Sequence, residues 1–152
     1  MKRKKLLICM GLVLVLTLGT VVNVGAGASK LIYLDWHNVV PAGSGDPNMF
    51  GDGTVMVSTG QAQICYNLRV FVYPGDGSNW PPTSTGIYRA PAGSNGPLVA
   101  DLHLDFSSPE VSGCVSVSSA LAHDIKQHPS DYYILVTSIN HPDGAVRAQL
   151  IR

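Results

Sequence analysis

Residues 64–73, Ile64-Cys65-Tyr66-Asn67-Leu68-Arg69-Val70-Phe71-Val72-Tyr73, alternate as a half-buried β-strand does. Ile64, Tyr66, Leu68, Val70 and Val72 fall on one face, and Cys65, Asn67, Arg69, Phe71 and Tyr73 fall on the other. A second strand-like run, Gly113 to Val117, carries Cys114. In an exported chain a covalent link between these two β segments, Cys65 to Cys114, is the first expectation.

The N-terminus predicts that export. Lys2, Arg3, Lys4 and Lys5 make a basic region, Leu6 to Leu18 is almost wholly apolar, and Ala26-Gly27-Ala28 has the small-x-small pattern of a signal peptidase site. Residues 1–28 therefore read as a signal peptide cleaved after Ala28, and residues 29–152 as one domain. The alternative is an uncleaved N-terminal membrane anchor, because the apolar stretch runs on to Val24. Gly19, Thr20 and Asn23 weaken its later half. Cys9 follows Ile8 early in the apolar region and reads as an ordinary residue of the signal rather than a lipid attachment site.

Four of the ten basic residues precede Ala28, so the mature chain keeps six against ten acidic ones and carries a net charge of −4 with His neutral. An acidic surface without a basic patch argues against nucleic acid, whose binding rests on phosphate neutralisation. After cleavage the mature chain has 124 residues, enough for one core. Closing the 49-residue separation between its two cysteines would stabilise the fold by about 4 kcal/mol on the chain-entropy account.

Short apolar runs separated by Gly and Pro predict the remaining strands: Leu31 to Trp36, Thr54 to Ser58, Gly86 to Arg89, Leu98 to Phe106, Tyr132 to Ser138 and Ala145 to Ile151. Residues 41–53, 74–84 and 90–97 read as loops. One helix is expected near 119–128, capped by Ser118 or Ser119, buried through Leu121 and Ile125 and stopped by Pro129. About eight short strands and one helix predict an all-β, antiparallel, Greek-key-like sandwich or barrel.

An ordered set of motifs adds a specific resemblance: Gly45-Asp46-Pro47, Gly51-Asp52-Gly53-Thr54, Thr59-Gly60-Gln61, Ile64 to Leu68, Ala90-Pro91-Ala92-Gly93-Ser94-Asn95-Gly96-Pro97, Ser112-Gly113-Cys114-Val115, and Tyr132-Tyr133 through His141-Pro142-Asp143-Gly144-Ala145-Val146-Arg147-Ala148-Gln149-Leu150. In order and spacing this set resembles the CHRD domain, the module named after chordin, from about residue 31 to the C-terminus. The resemblance implies an all-β extracytoplasmic module, found alone in bacterial secreted proteins and repeated in chordins that bind growth factors, with no known enzyme activity. Family members often carry His-x-His before the glycine loop, where this chain has Gly86-Ile87-Tyr88, and a further histidine where it has Thr137. Of that set His141 alone remains, too few donors for copper or zinc. The resemblance also makes Arg147 the family's near-terminal arginine, expected as a structural ion pair or hydrogen-bonded arginine, with Asp143 or Asp101 as candidate acids.

The other candidate sites have plain structural readings. Asp101, His103 and Asp105 would share one face of the 98–106 strand, as a surface cation site or as an ordinary solvated face. Asp46, Asn48 and Asp52 offer oxygen donors for calcium but are also common turn residues. No Gly-x-Ser-x-Gly elbow occurs, and His123 and Asp124 read as exposed helix residues, so neither an enzyme nor a cofactor is expected. Tyr73, Trp80 and Tyr88 border the Gly/Pro-rich loops and, with His141, form the candidate binding surface, for a protein or carbohydrate partner. The functional expectation is a secreted or envelope-associated, non-catalytic binding or structural module. The alternative is a copper- or zinc-binding module with a degenerate histidine site.

Overall fold

The computed structural model describes residues 29–73, 82–103 and 108–151. Residues 1–28, Trp80 and residues 104–107, which include Asp105, lie outside these described residues. Eight strands, β1 (Ser29–Asp35), β2 (Met49–Ser58), β3 (Gln63–Val72), β4 (Pro82–Arg89), β5 (Leu98–Asp101), β6 (Glu110–Ser116), β7 (Tyr132–Ser138) and β8 (Val146–Gln149), form one antiparallel sheet in the order β5-β4-β7-β8-β1-β2-β3-β6. The sheet curls into a nearly closed barrel with β5 and β6 as its two edges. One side chain spans the seam: the Tyr66 hydroxyl donates to the Leu102 carbonyl at 2.6 Å. Gly113 on β6 makes room for it, since a Cβ there would sit 2.6 Å from that hydroxyl.

The alternation of residues 64–73 places Ile64, Tyr66, Leu68 and Val70 in the core. They meet Ile32, Leu34, Val55, Ile87, Ile134, Val136 and Ala148 from across the barrel. Cys65 and Cys114 are directly opposed in the β3–β6 register and bonded, with their Cα atoms 4.0 Å apart. The bridge lies on the outer face and fastens the edge strand to its neighbour.

Several expected boundaries move: β4 begins at Pro82 rather than Gly86, inside the stretch 74–84 that reads as loop, and β6 begins at Glu110 rather than Gly113, each lengthened by pairing with β7 and β3 respectively. Two further shifts have a local cause. β2 begins at Met49, although residues 41–53 read as a loop. Gly51 and Gly53 belong to the strand because Cβ atoms there would lie 2.4 and 2.3 Å from the Arg69 and Asn67 carbonyls of β3, so these glycines mark close backbone approach rather than a turn. β5 ends at Asp101 instead of continuing to Phe106: His103 has φ +48° and its N–H donates to the Asp101 carboxylate at 2.8 Å, which turns the chain.

The helix α1 (Ser119–Gln127) lies where expected. Ser118 caps it, accepting from the Leu121 N–H at 3.1 Å, and Ala122 and Ile125 are its fully buried residues. Burying the Ile125 side chain stabilises the docked helix by roughly 1.5–3 kcal/mol.

β7 is buried on both faces. Tyr132, Ile134 and Val136 point into the main core, while Tyr133 and Leu135 form a second small core with Ala90 outside the barrel. The loop 90–97 covers this outer cluster, held by the Tyr133 hydroxyl, which accepts from the Gly96 N–H at 3.2 Å.

Candidate binding surface

The outer face of β1–β2–β3 carries a row of uncovered aromatic rings. Pairing sets Asp35 opposite Phe50 and Phe50 opposite Phe71, and period-two alternation turns all three outward. The Phe50 and Phe71 rings stack with centroids 5.4 Å apart, and Tyr73 lies 4.7 Å from Phe50. Tyr33 stands on the adjacent strand. Exposures of 68% for Tyr33, 58% for Tyr73 and 37% for both Phe50 and Phe71 set these rings apart from the buried Tyr132 and Tyr133.

Polar groups frame the rings. One rung away, Arg69 grips Asp52 through Nε at 2.9 Å and Nη2 at 2.6 Å, and that hydrogen bonding raises the arginine's pKa. Asp35 accepts from the His37 backbone N–H at 2.9 Å and contacts its ring at 2.8 Å, and the backbone bond leads the causes that hold its carboxyl below the usual range. A shallow groove of about 370 Å³ runs between Tyr33, Asp35, His37, Phe50 and Tyr73. Its chemistry is flat apolar faces edged by fixed charge and hydrogen-bonding groups, suited to holding a ligand by stacking and lateral hydrogen bonds.

Of the four residues expected to form a binding surface, Tyr73 belongs to this row and Trp80 lies outside the described residues. Tyr88 is half-buried against Tyr133, its ring centroid 5.4 Å away, on a strand far from β3 in the sheet order. His141 follows β7 with Nδ1 3.6 Å from an Asp46 oxygen, and the same nitrogen has no hydrogen-bond partner. Phe50 carries no signal in the sequence because the glycines and prolines of residues 41–53 around it read as loop. Phe71 was visible on the outer face, and its i, i+2 relation to Tyr73 was the available signal.

Among the described residues, which leave out Asp105, the expected ligand sets do not gather at one point. Thr137 exchanges hydrogen bonds with Thr83 at 2.9 Å and Ser84 at 2.7 Å, near the opposite end of β4 from Tyr88. His103 pairs with Asp101 at 3.3 Å and His141 with Asp46, so the two histidines serve different carboxylates. Asp46 is buried and accepts from the Asn48 N–H at 2.9 Å in a local turn, while Asp52 is taken by Arg69. Among the described residues no group of three or more His, Cys, Asp or Glu side chains is gathered as metal ligands would be.

One expectation about a charged residue needs correction, and another, Arg147 as an ion-paired or hydrogen-bonded arginine, holds in its second form only. Asp124 is no bystander on the helix: it accepts from the Tyr132 hydroxyl, contacts His128 at 2.9 Å and pairs with Arg89 at 3.1 Å. Its i+4 spacing to His128 was the legible part of that cluster. Arg147 meets neither Asp143 nor Asp101. The alternation of β8 turns it outward onto the second core, where its guanidinium lies 3.5 Å from the Tyr133 ring centroid, donates to the carbonyls of Pro91 (3.1 Å) and Ser94 (2.9 Å), and reaches the Gln149 amide oxygen at 3.0 Å. Backbone carbonyls answer its charge because loop 90–97 wraps over it, and burial lowers its pKa.

Residues 32–150 match the family model for the CHRD domain. The chain belongs to the CHRD family. No curated protein and no solved structure matches it. In this CHRD domain the glycine-loop motif and the near-terminal arginine are parts of one structural device, loop 90–97 clamped onto Tyr133 by Arg147 and Gln149. They lie apart from the aromatic row, which depends on the outward positions of three neighbouring strands.

Proposed function

We propose that this CHRD domain is a secreted or envelope-associated, non-catalytic binding module that takes a carbohydrate chain on the row Tyr33, Phe50, Phe71 and Tyr73. The observation that carries the reading is the exposure of four large rings side by side on a rigid sheet, two of them at more than half their full area. Rings held by strand backbone lose little freedom on binding, and the Asp35–His37 and Asp52–Arg69 pairs supply hydrogen bonds at the edges. The basic and apolar signal features of residues 1–28 support export, as does the paired Cys65–Cys114. Among the described residues no helix is long and apolar enough to cross a membrane.

A glycan array followed by calorimetry on the best ligand tests the assignment. Binding is expected to weaken tenfold or more in Tyr33→Ala and in Tyr73→Ala, as for central aromatic anchors, with the melting temperature little changed. A protein partner captured through the same rings, with a silent array, would keep the surface and change the partner class. Glycan binding unaffected by both substitutions would refute the site.

A further inference from the structure

We propose a second ligand site, for an anionic single-chain amphiphile, at the end of the barrel remote from the aromatic row. A cavity of about 310 Å³ opens there, at the lower end of the size range of small-molecule sites. Its walls are apolar: Val55 and Val57 from β2, Ile125 and Pro129 around α1, and Leu150 after β8. Lys30 and Lys126 line the same cavity.

The two lysines are what decide the ligand. Lys30 has the strand parity of Ile32 and Leu34, so it occupies a core-facing position of β1 at the barrel mouth, where an unanswered charge is unfavourable. Lys126 follows the buried Ile125 on α1. Elsewhere in the described residues Arg69 is paired with Asp52, Arg89 with Asp124, and Arg147 with carbonyls. Lys30 and Lys126 are the only Lys or Arg side chains among the described residues with no such partner, and in a chain whose mature charge is −4 both border one apolar hollow. An apolar tail fills the hollow and its anionic head lies between the two ammonium groups. The site is independent of the carbohydrate reading: in the β1–β2 register Lys30 stands opposite Val55, whereas the aromatic row begins where Asp35 stands opposite Phe50.

Calorimetry on the exported chain with monomeric decanoate, decyl phosphate and decyltrimethylammonium tests it. One saturable site is expected for at least one of the two anions, which between them distinguish a carboxylate from a phosphate head, with the cation bound at least tenfold more weakly. Lys30→Met and Lys126→Met, which keep the stem and remove the charge, each weaken the anion about two- to fivefold. The exposed reversal Lys126→Glu weakens it further, and near-UV circular dichroism confirms that each variant is folded. Equal binding of anion and cation, affinity unchanged in the Lys30→Met/Lys126→Met double variant, or binding to phosphatidylglycerol vesicles without binding of either monomer overturns the proposal.

Discussion

Arg147 shows how one residue's role depends on what is folded over it. Its charge lies in an almost fully buried place without a carboxylate, and the Tyr133 ring and loop carbonyls hold it. Replacing it by Met strands those carbonyls, so Arg147→Met should lower unfolding free energy by about 2–4 kcal/mol and speed amide exchange in loop 90–97. Denaturant titration and hydrogen exchange read both effects. The Tyr132–Asp124 pair makes stability depend on pH at both extremes. Asp124, held below its ordinary 3.8 mainly by the Tyr132 hydroxyl, contributes stability that is complete above that value and is lost as pH falls through the folded pKa. Tyr132, pushed up to about 12 by burial and by Asp124, contributes stability that is complete below about pH 10 and is lost as pH rises towards 12. Tyr132→Phe should shrink both limbs of a plot of denaturation midpoint against pH. Tyr66 and Tyr88, also raised by burial, leave a remnant of the alkaline limb.

Among the elements, β6 depends most on its covalent tie. It is an edge strand whose residues alternate between exposed and half-buried, and it pairs with β3 alone. Cys65→Ala/Cys114→Ala should destabilise the domain by about 2–5 kcal/mol, with exchange rising first in β6. A uniform loss across all strands would show instead that β6 unfolds with the whole barrel. β2 teaches a different point. Its second half was legible from Val55 and Val57, whereas its first half was hidden because Gly51 and Gly53 look like turn residues until β3 is placed against them. β5 was overextended for the converse reason: alternation continued through His103, but a positive φ there ends the strand.

For the molecule as a whole, the sheet is open at the seam between β5 and β6 and thin between β8 and β1, which pair at Asp35 and Arg147 alone. Tyr66 bridges the β5–β6 seam, and Tyr66→Phe leaves the Leu102 carbonyl without this donor. The expected cost is about 1–2 kcal/mol, with faster exchange at both edge strands while β2 and β7, each paired on both sides over several residues, stay protected. Unchanged exchange at both edges would show that the hydroxyl does not hold the seam.

Alternation, turn residues and a capped helix were local signals, and they determined an all-β domain with a short helix near 119–128; two cysteines in strand-like runs, taken with the expectation of export, pointed to the β3–β6 cross-link. Local patterns report which way a side chain points from its own strand; they say nothing of which strands become neighbours. The aromatic row joins rings from residues 33, 50, 71 and 73, the Arg147 clamp joins loop 90–97 to β8, and two lysines from β1 and α1 line one cavity. Those groupings arise from register and barrel closure, which are set by packing between distant segments, so only the tertiary structure decided them.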